Sequence, residues 1–184
     1  MTVATIITLV RIGLVPVFIG AFEAGSQWSW LTLAIFIVAS FTDAVDGYVA
    51  RRYNQVTNLG KIVDPLADKL LVTSALLMLV QAGQMSAIAA IIIIAREFLI
   101  TSLRTVAVAD GCVIAAGPSG KIKTVVQIVC ISLLLTDWGD TTLFAGITLH
   151  RVAIWIMVLV TVWSGVVYMV EHKDVWKAPV KKET

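Results

Sequence analysis

Six apolar runs, each approaching or exceeding the width of a bilayer, divide this chain, and short clusters of charge, glycine and proline separate them. A helix needs about 20 apolar residues to cross the hydrocarbon core, so a chain of this kind has few folds open to it. The runs span residues 6–22, 30–51, 65–80, 86–108, 122–135 and 149–169. The third and fifth are short, and a tilted or interfacial end would cover the deficit. In lipid every backbone polar group must be satisfied internally, and the chain lacks the alternating short segments of a barrel. The expected fold is therefore all-α, a polytopic membrane protein with six transmembrane helices. Composition agrees: 59% of the residues are hydrophobic and 14% charged, too few charges to coat a soluble globule. No internal repeat or composition break divides the 184 residues, which read as one membrane domain over 1–184. The first run has no basic residue before it and holds Arg11 within it, so it is expected to stay as a span and not to be removed as a signal peptide. Cys112 and Cys130 belong to no metal-spaced cluster and read as small apolar fillers.

The basic residues set an orientation. With the N-terminus cytoplasmic, the inner loops and tail hold Arg51, Arg52, Lys61, Lys69, Lys121, Lys123, Lys173, Lys177, Lys181 and Lys182. The opposite turns are nearly free of Lys and Arg until Arg151, which is the positive-inside pattern. Trp28, Trp30 and Trp138 are expected near the outer interface and Trp176 near the inner one. The basic tail has an expected attraction to anionic headgroups.

Most of the chemistry lies between residues 43 and 68. Asp43 and Asp46 are three apart, Asp64 and Asp68 four apart, so on helices each pair shares a face. A short connector lets the two pairs meet. Four converging carboxylates cannot all stay ionised at a membrane without counter-charge. Two hard divalent cations with oxygen ligands, Mg²⁺ or Mn²⁺, supply it, and phosphate chemistry is their natural use. Gly47 and Ala50 leave a strip poor in side chains where a base or ribose can approach, Gly60 opens a face one turn before Asp64, and Arg51 can reach a diphosphate with its rigid donor fork. The alternative use of such small residues is close helix packing.

The stretch DAVDGYVARRYNQVTNLGKIVDPLADK resembles the signature of the CDP-alcohol phosphatidyltransferase family, matching at Asp43, Asp46, Gly47, Ala50, Arg51, Gly60, Asp64 and Asp68. The resemblance implies a six-helix membrane fold, a homodimer, and a cytoplasm-facing site with two metals on the four aspartates. It also implies that Gly47 and Arg51 hold the CDP group and that Asp68 is the base activating the acceptor hydroxyl. The segments ATIITLVRIGLVPVF, IIIIAREFLITSLRTVAVADG and GPSGKIKTVVQI are similar to the bacterial members that take glycerol 3-phosphate. Ala4 and Thr5 stand where the family often has Pro-Asn, leaving Thr5 or Thr8 as the nucleotide contact of the first span. The implied reaction moves a phosphatidyl group from CDP-diacylglycerol to sn-glycerol 3-phosphate in the bacterial inner membrane, with no nucleic acid partner.

A phosphorylated acceptor needs converging cations. Arg104 near the end of the fourth span and Lys121 and Lys123 at the start of the fifth are candidates, with Arg11 in the first. Arg96 and Glu97, deeper in the fourth span, read as a scaffold pair or as an arm of the pocket. Two other activities fit less of the sequence: a related transferase using inositol phosphate, serine or another alcohol, and a metal-binding transporter whose acidic residues form an ion route.

Overall fold

The computed structural model describes residues 3–25, 29–53, 58–109, 117–136, 142–144 and 147–173, with side chains for all of these except 3–8, 43–53, 58–66, 68, 109, 142–144 and 147. Helices α1 (Val3–Glu23), α2 (Ser29–Tyr53), α3 (Asn58–Gln81), α4 (Ala87–Ala109), α5 (Pro118–Leu134) and α6 (Leu149–Glu171) follow one another along the chain. Between α5 and α6, β1 (Thr142–Phe144) pairs antiparallel with β2 (Ile147–Thr148), in register Thr142 to Thr148 and Phe144 to Ile147. That ribbon is a small addition to the expected all-helical fold.

One boundary departs clearly from expectation. The third helix is not short: it starts at Asn58 and runs through Pro65, giving 24 residues in place of the expected 65–80. Gly60 and Pro65 look like breakers in sequence, yet a proline removes only its own N–H from the ladder, a loss neighbouring helices can absorb in a bundle. The fifth helix does stay short, at 17 residues. It opens with Pro118 at its first position, where the missing N–H has no intrahelical use, after an extended Gly117.

Packing makes an alternating bundle. α1 lies against both α2 and α3, α5 packs on α6, α6 also packs on α4, and α3 joins the two groups through α4 and α5. Phe18, Phe36, Leu76, Leu79, Ile93, Ile131, Leu134 and Met157 form the centre of a continuous core. Gln81 donates from Nε2 to Glu23 Oε1 at 2.7 Å, fixing the C-terminal ends of α1 and α3 at the same end of the bundle. α3 stops on Gly83, whose φ of +72° suits glycine, while the N–H groups of Gln84 and Met85 both donate back to the Leu79 carbonyl.

The surface is inverted relative to a soluble globule. Phe41, Ile88, Ile91, Val125, Val129, Trp155, Leu159 and Val170 are exposed, whereas Arg11, Thr32, Lys123, Gln127, His150, Thr161 and Ser164 are buried. Isolated exposed apolar side chains are ordinary, but apolar faces on α2, α4, α5 and α6 together with an interior that collects polar groups suit a lipid solvent. Among the described residues α6 is the one helix long and apolar enough to cross a membrane, with 23 residues and a mean hydropathy of 2.1. α4 is as long but carries Arg96, Glu97 and Arg104. Trp30 is exposed at the start of α2 as expected, and Cys130 is buried in the core; Cys112, Trp28, Trp138, Trp176 and the basic tail from 174 onward lie outside the described residues.

Candidate active site

The aspartates fall on two adjacent helices, Asp43 and Asp46 on α2 and Asp64 and Asp68 on α3, with Gly47, Ala50 and Arg51 on the first and Gly60 on the second. Of these eight positions the structure describes the backbone. Helical register then does the placing. On α2 the buried residues Thr32, Phe36 and Ala39 form a stripe, and at about 100° per residue positions 43, 46, 47 and 50 continue it. On α3 the buried stripe is Ala67, Leu71 and Ala75, and positions 64 and 68 belong to it. Both aspartate pairs therefore share the register of these stripes, on two helices that pack together.

Depth agrees with register. At about 1.5 Å per residue, positions 43 and 46 are roughly 15 and 10 Å from the end of α2, and positions 64 and 68 roughly 9 and 15 Å from the start of α3. Arg11 is buried on α1, about 12 Å from the helix start, in a stripe with Val15 and Phe18. Extended toward the N-terminus, that stripe takes in position 8 and leaves position 5 about 100° or more to one side. The side chains of Thr5 and Thr8 lie outside the described residues.

Beside the aspartate helices is a charged centre built by α3, α4 and α5. Glu97 accepts from Arg96 Nη1 at 3.2 Å and forms an ion pair through the same oxygen with Lys123 Nζ. Lys123 is only 4% exposed, five residues into α5. A cavity of about 30 Å³ opens between Lys69, Thr73, Glu97, Lys123, Thr124 and Gln127, with room for about one water molecule. The sequence places Lys69 directly after Asp68, so this centre reaches the carboxylate helix. Arg96 and Glu97 are a scaffold pair and also line the charged centre through Glu97. Gly165 on α6 makes room for the Arg96 stem, since a Cβ there would stand 3.3 Å from Arg96 Cγ.

The remaining cations have different surroundings. Lys121 is exposed on the first turn of α5. Arg104 is half-buried on α4, with its guanidinium carbon 5.9 Å from the centre of the Tyr168 ring. Tyr168 in turn stacks on His172 at 4.6 Å between ring centres. Lys69, Gln127 and Tyr168 were not singled out as site residues by sequence. A signal existed for Tyr168, which sits with His172 one helical turn apart at the polar end of an apolar run.

Comparison with known proteins bears on the family of the chain. The family model described as CDP-alcohol phosphatidyltransferase matches residues 1–163. The chain is similar to the CDP-diacylglycerol--glycerol-3-phosphate 3-phosphatidyltransferase of Bacillus subtilis (strain 168), 43% identical over 185 residues covering 94% of each chain. It is also similar to the protein of the same name from Escherichia coli (strain K12), 36% identical over 172 residues, 91% of this chain and 92% of that one. The probable phosphatidylglycerophosphate synthase of Mycobacterium tuberculosis (strain ATCC 25618 / H37Rv) is 39% identical over 170 residues, 90% of this chain and 79% of its own length. With the family model covering residues 1–163 and a relative 43% identical over most of its length, the chain belongs to the CDP-alcohol phosphatidyltransferase family.

Proposed function

We propose that this protein transfers the phosphatidyl group of CDP-diacylglycerol to sn-glycerol 3-phosphate, giving phosphatidylglycerol phosphate and CMP. The observation that carries the reading is the helical pairing of Asp43 with Asp46 on α2 and of Asp64 with Asp68 on α3, two neighbouring helices. The names of the relatives support the choice of donor and acceptor.

The four aspartates are a hard oxygen donor set that suits two Mg²⁺ or Mn²⁺ ions. When bound, such ions neutralise diphosphate charge and the charge that develops in transfer. Gly47 and Ala50 leave the α2 backbone open to the cytidine, with Gly60 giving the matching opening on α3. Arg51 holds the diphosphate with its donor fork. Asp68 takes the proton of the acceptor hydroxyl as that oxygen attacks the phosphorus bearing diacylglycerol. The bond from that phosphorus to the CMP oxygen breaks, and its electrons leave with CMP. Arg104 and Lys121 bind the acceptor phosphate, with Lys123 and Arg11 as further cations of the same bundle end. The Glu97 pair holds Lys123 in place.

The proposal includes six membrane spans over a single domain, in a bacterial inner membrane. The basic loops face the cytoplasm, the lipid tails of the donor stay in the bilayer, and the working form is a homodimer. The apolar outer faces and polar interior support the membrane placement. The test is CMP release by purified protein given CDP-diacylglycerol and a panel of alcohols. Release that requires both the donor and glycerol 3-phosphate is expected. Release with serine or inositol phosphate in its place would assign a different acceptor, and no release with any alcohol would overturn the enzymatic reading.

A further inference from the structure

Far from the aspartates, the other end of the bundle contains a groove of about 540 Å³ that the proposed reaction does not use. The α3–α4 turn, Gly83 to Ser86, borders it at one end, and its walls are α4 and α6, with Ile88, Ile92, Trp155 and Val158 lining it. The volume lies in the range of small-molecule and lipid sites, about 300–1,000 Å³. Arg151 stands at the mouth beside Gln84 and Ser86. α6 has no acidic residue in its first turn, and no ion pair to Arg151 exists among the described residues. Trp155, one turn deeper on the same helix, is 67% exposed. The groove thus pairs one cation and two neutral polar groups at its rim with a long apolar wall.

We propose that this groove binds an anionic phospholipid, its phosphate on Arg151 and one acyl chain along Ile88, Ile92 and Trp155. Charge complementarity selects that occupant. A zwitterionic lipid satisfies the apolar wall equally well but brings its own cation to a rim that already has one. A second copy of this chain would have to set the same Arg151 against itself if the groove lay on a twofold axis. The site lies at the bundle end opposite the reaction, so it is distinct from the donor's position.

The test uses the full chain purified in a neutral detergent. Unfolding midpoints are followed while dioleoyl phosphatidylglycerol or dioleoyl phosphatidylcholine is titrated in, since a ligand of the folded state raises the midpoint according to its affinity. Phosphatidylglycerol should stabilise wild type at lower concentration than phosphatidylcholine. Arg151→Gln should weaken the apparent phosphatidylglycerol affinity by about tenfold, the loss of one charge-assisted contact, and leave the phosphatidylcholine response unchanged. Arg151→Lys should keep most of the preference, and Trp155→Ala should weaken both lipids. CMP release by Arg151→Gln in detergent, with CDP-diacylglycerol and glycerol 3-phosphate but no other phospholipid, should match wild type, which separates this site from the reaction. Equal responses to the two lipids in wild type overturn the proposal. So does a preference that survives in Arg151→Gln, which would assign it to the basic tail, or a change of oligomeric state on sizing of Trp155→Ala, which would make the groove an interface between copies.

Discussion

Glu97→Gln isolates the energetics of the charged centre. Glu97 has a single oxygen shared between Arg96 and Lys123, and the Lys123 side chain is 4% exposed while that of Glu97 is 19% exposed. Glutamine keeps the shape and one acceptor but removes the negative charge that Glu97 contributes to the buried ammonium. Breaking a buried pair from one side costs about 3–5 kcal/mol, and the retained hydrogen bond moves the expectation to the lower end, about 3 kcal/mol. For a chain of this size each kcal/mol shifts the midpoint by about 2–4 °C, so a fall of roughly 6–12 °C is expected. The assay is thermal unfolding in detergent, followed by circular dichroism at matched lipid content. Glu97→Leu combined with Lys123→Met is the control, because an apolar pair of similar volume avoids the desolvated charge and should recover most of the loss. A midpoint within about 1 °C of wild type for Glu97→Gln would refute the idea that this pair anchors α4 to α5.

Three further outcomes follow from the site and the orientation. Asp68→Asn should reduce CMP release by at least a hundredfold at saturating metal in protein that still unfolds cooperatively, the range expected for loss of a general base; near-normal turnover would remove Asp68 from that role. Cysteines introduced at positions 61 and 140 in a chain otherwise free of cysteine should label from opposite faces of sealed vesicles, and labelling from one face would require a different number of spans. Arg104→Ala and Lys121→Ala should each raise the glycerol 3-phosphate requirement about tenfold or more while moving that for CDP-diacylglycerol little, from the loss of a charge-assisted contact of roughly 1.5–3 kcal/mol. An unchanged acceptor dependence in both would shift attention to Arg11, Lys123 and Arg96.

What could be read from sequence tracks the range of the interactions involved. The aspartate pairs were legible because their spacing is local: three and four residues on a helix define a face whatever the rest of the chain does. Helix ends were legible where a local signal coincides with the boundary, as at Pro118 after Gly117. They were not where the deciding contacts are distant. α3 continues back through Pro65 to Asn58 in a bundle where it packs on α1 and α2, and no local property of Gly60 or Pro65 reports that packing. The ribbon Thr142–Phe144 with Ile147–Thr148 did have a local cue, β-branched residues on both sides of Gly146, which the surrounding apolar pattern obscured. Lys123 was legible as a cation of the right bundle end, but its partner was not. That Glu97 meets it depends on how α4 and α5 rotate against each other.

That pairing changes how the cations divide the work. Glu97 bridges two cations, Arg96 and Lys123, inside the bundle and beside Lys69. Buried charges are costly unless opposite charges compensate them, and the proposed carboxylates of α3 include position 68, next to Lys69 in the chain. The charged centre and the aspartates are in this view one electrostatic unit, each lowering the cost of burying the other. Lys121, exposed, and Arg104, held against Tyr168, stand outside that balance. In the proposed reaction they are the cations that meet the phosphorylated acceptor arriving from water. Substitutions within the unit should therefore act first on folding and metal dependence, and substitutions at Lys121 and Arg104 first on acceptor choice. The contrast between Glu97→Gln and Lys121→Ala is the measurement that separates the two: if both move stability alike and neither moves acceptor dependence, the division is wrong.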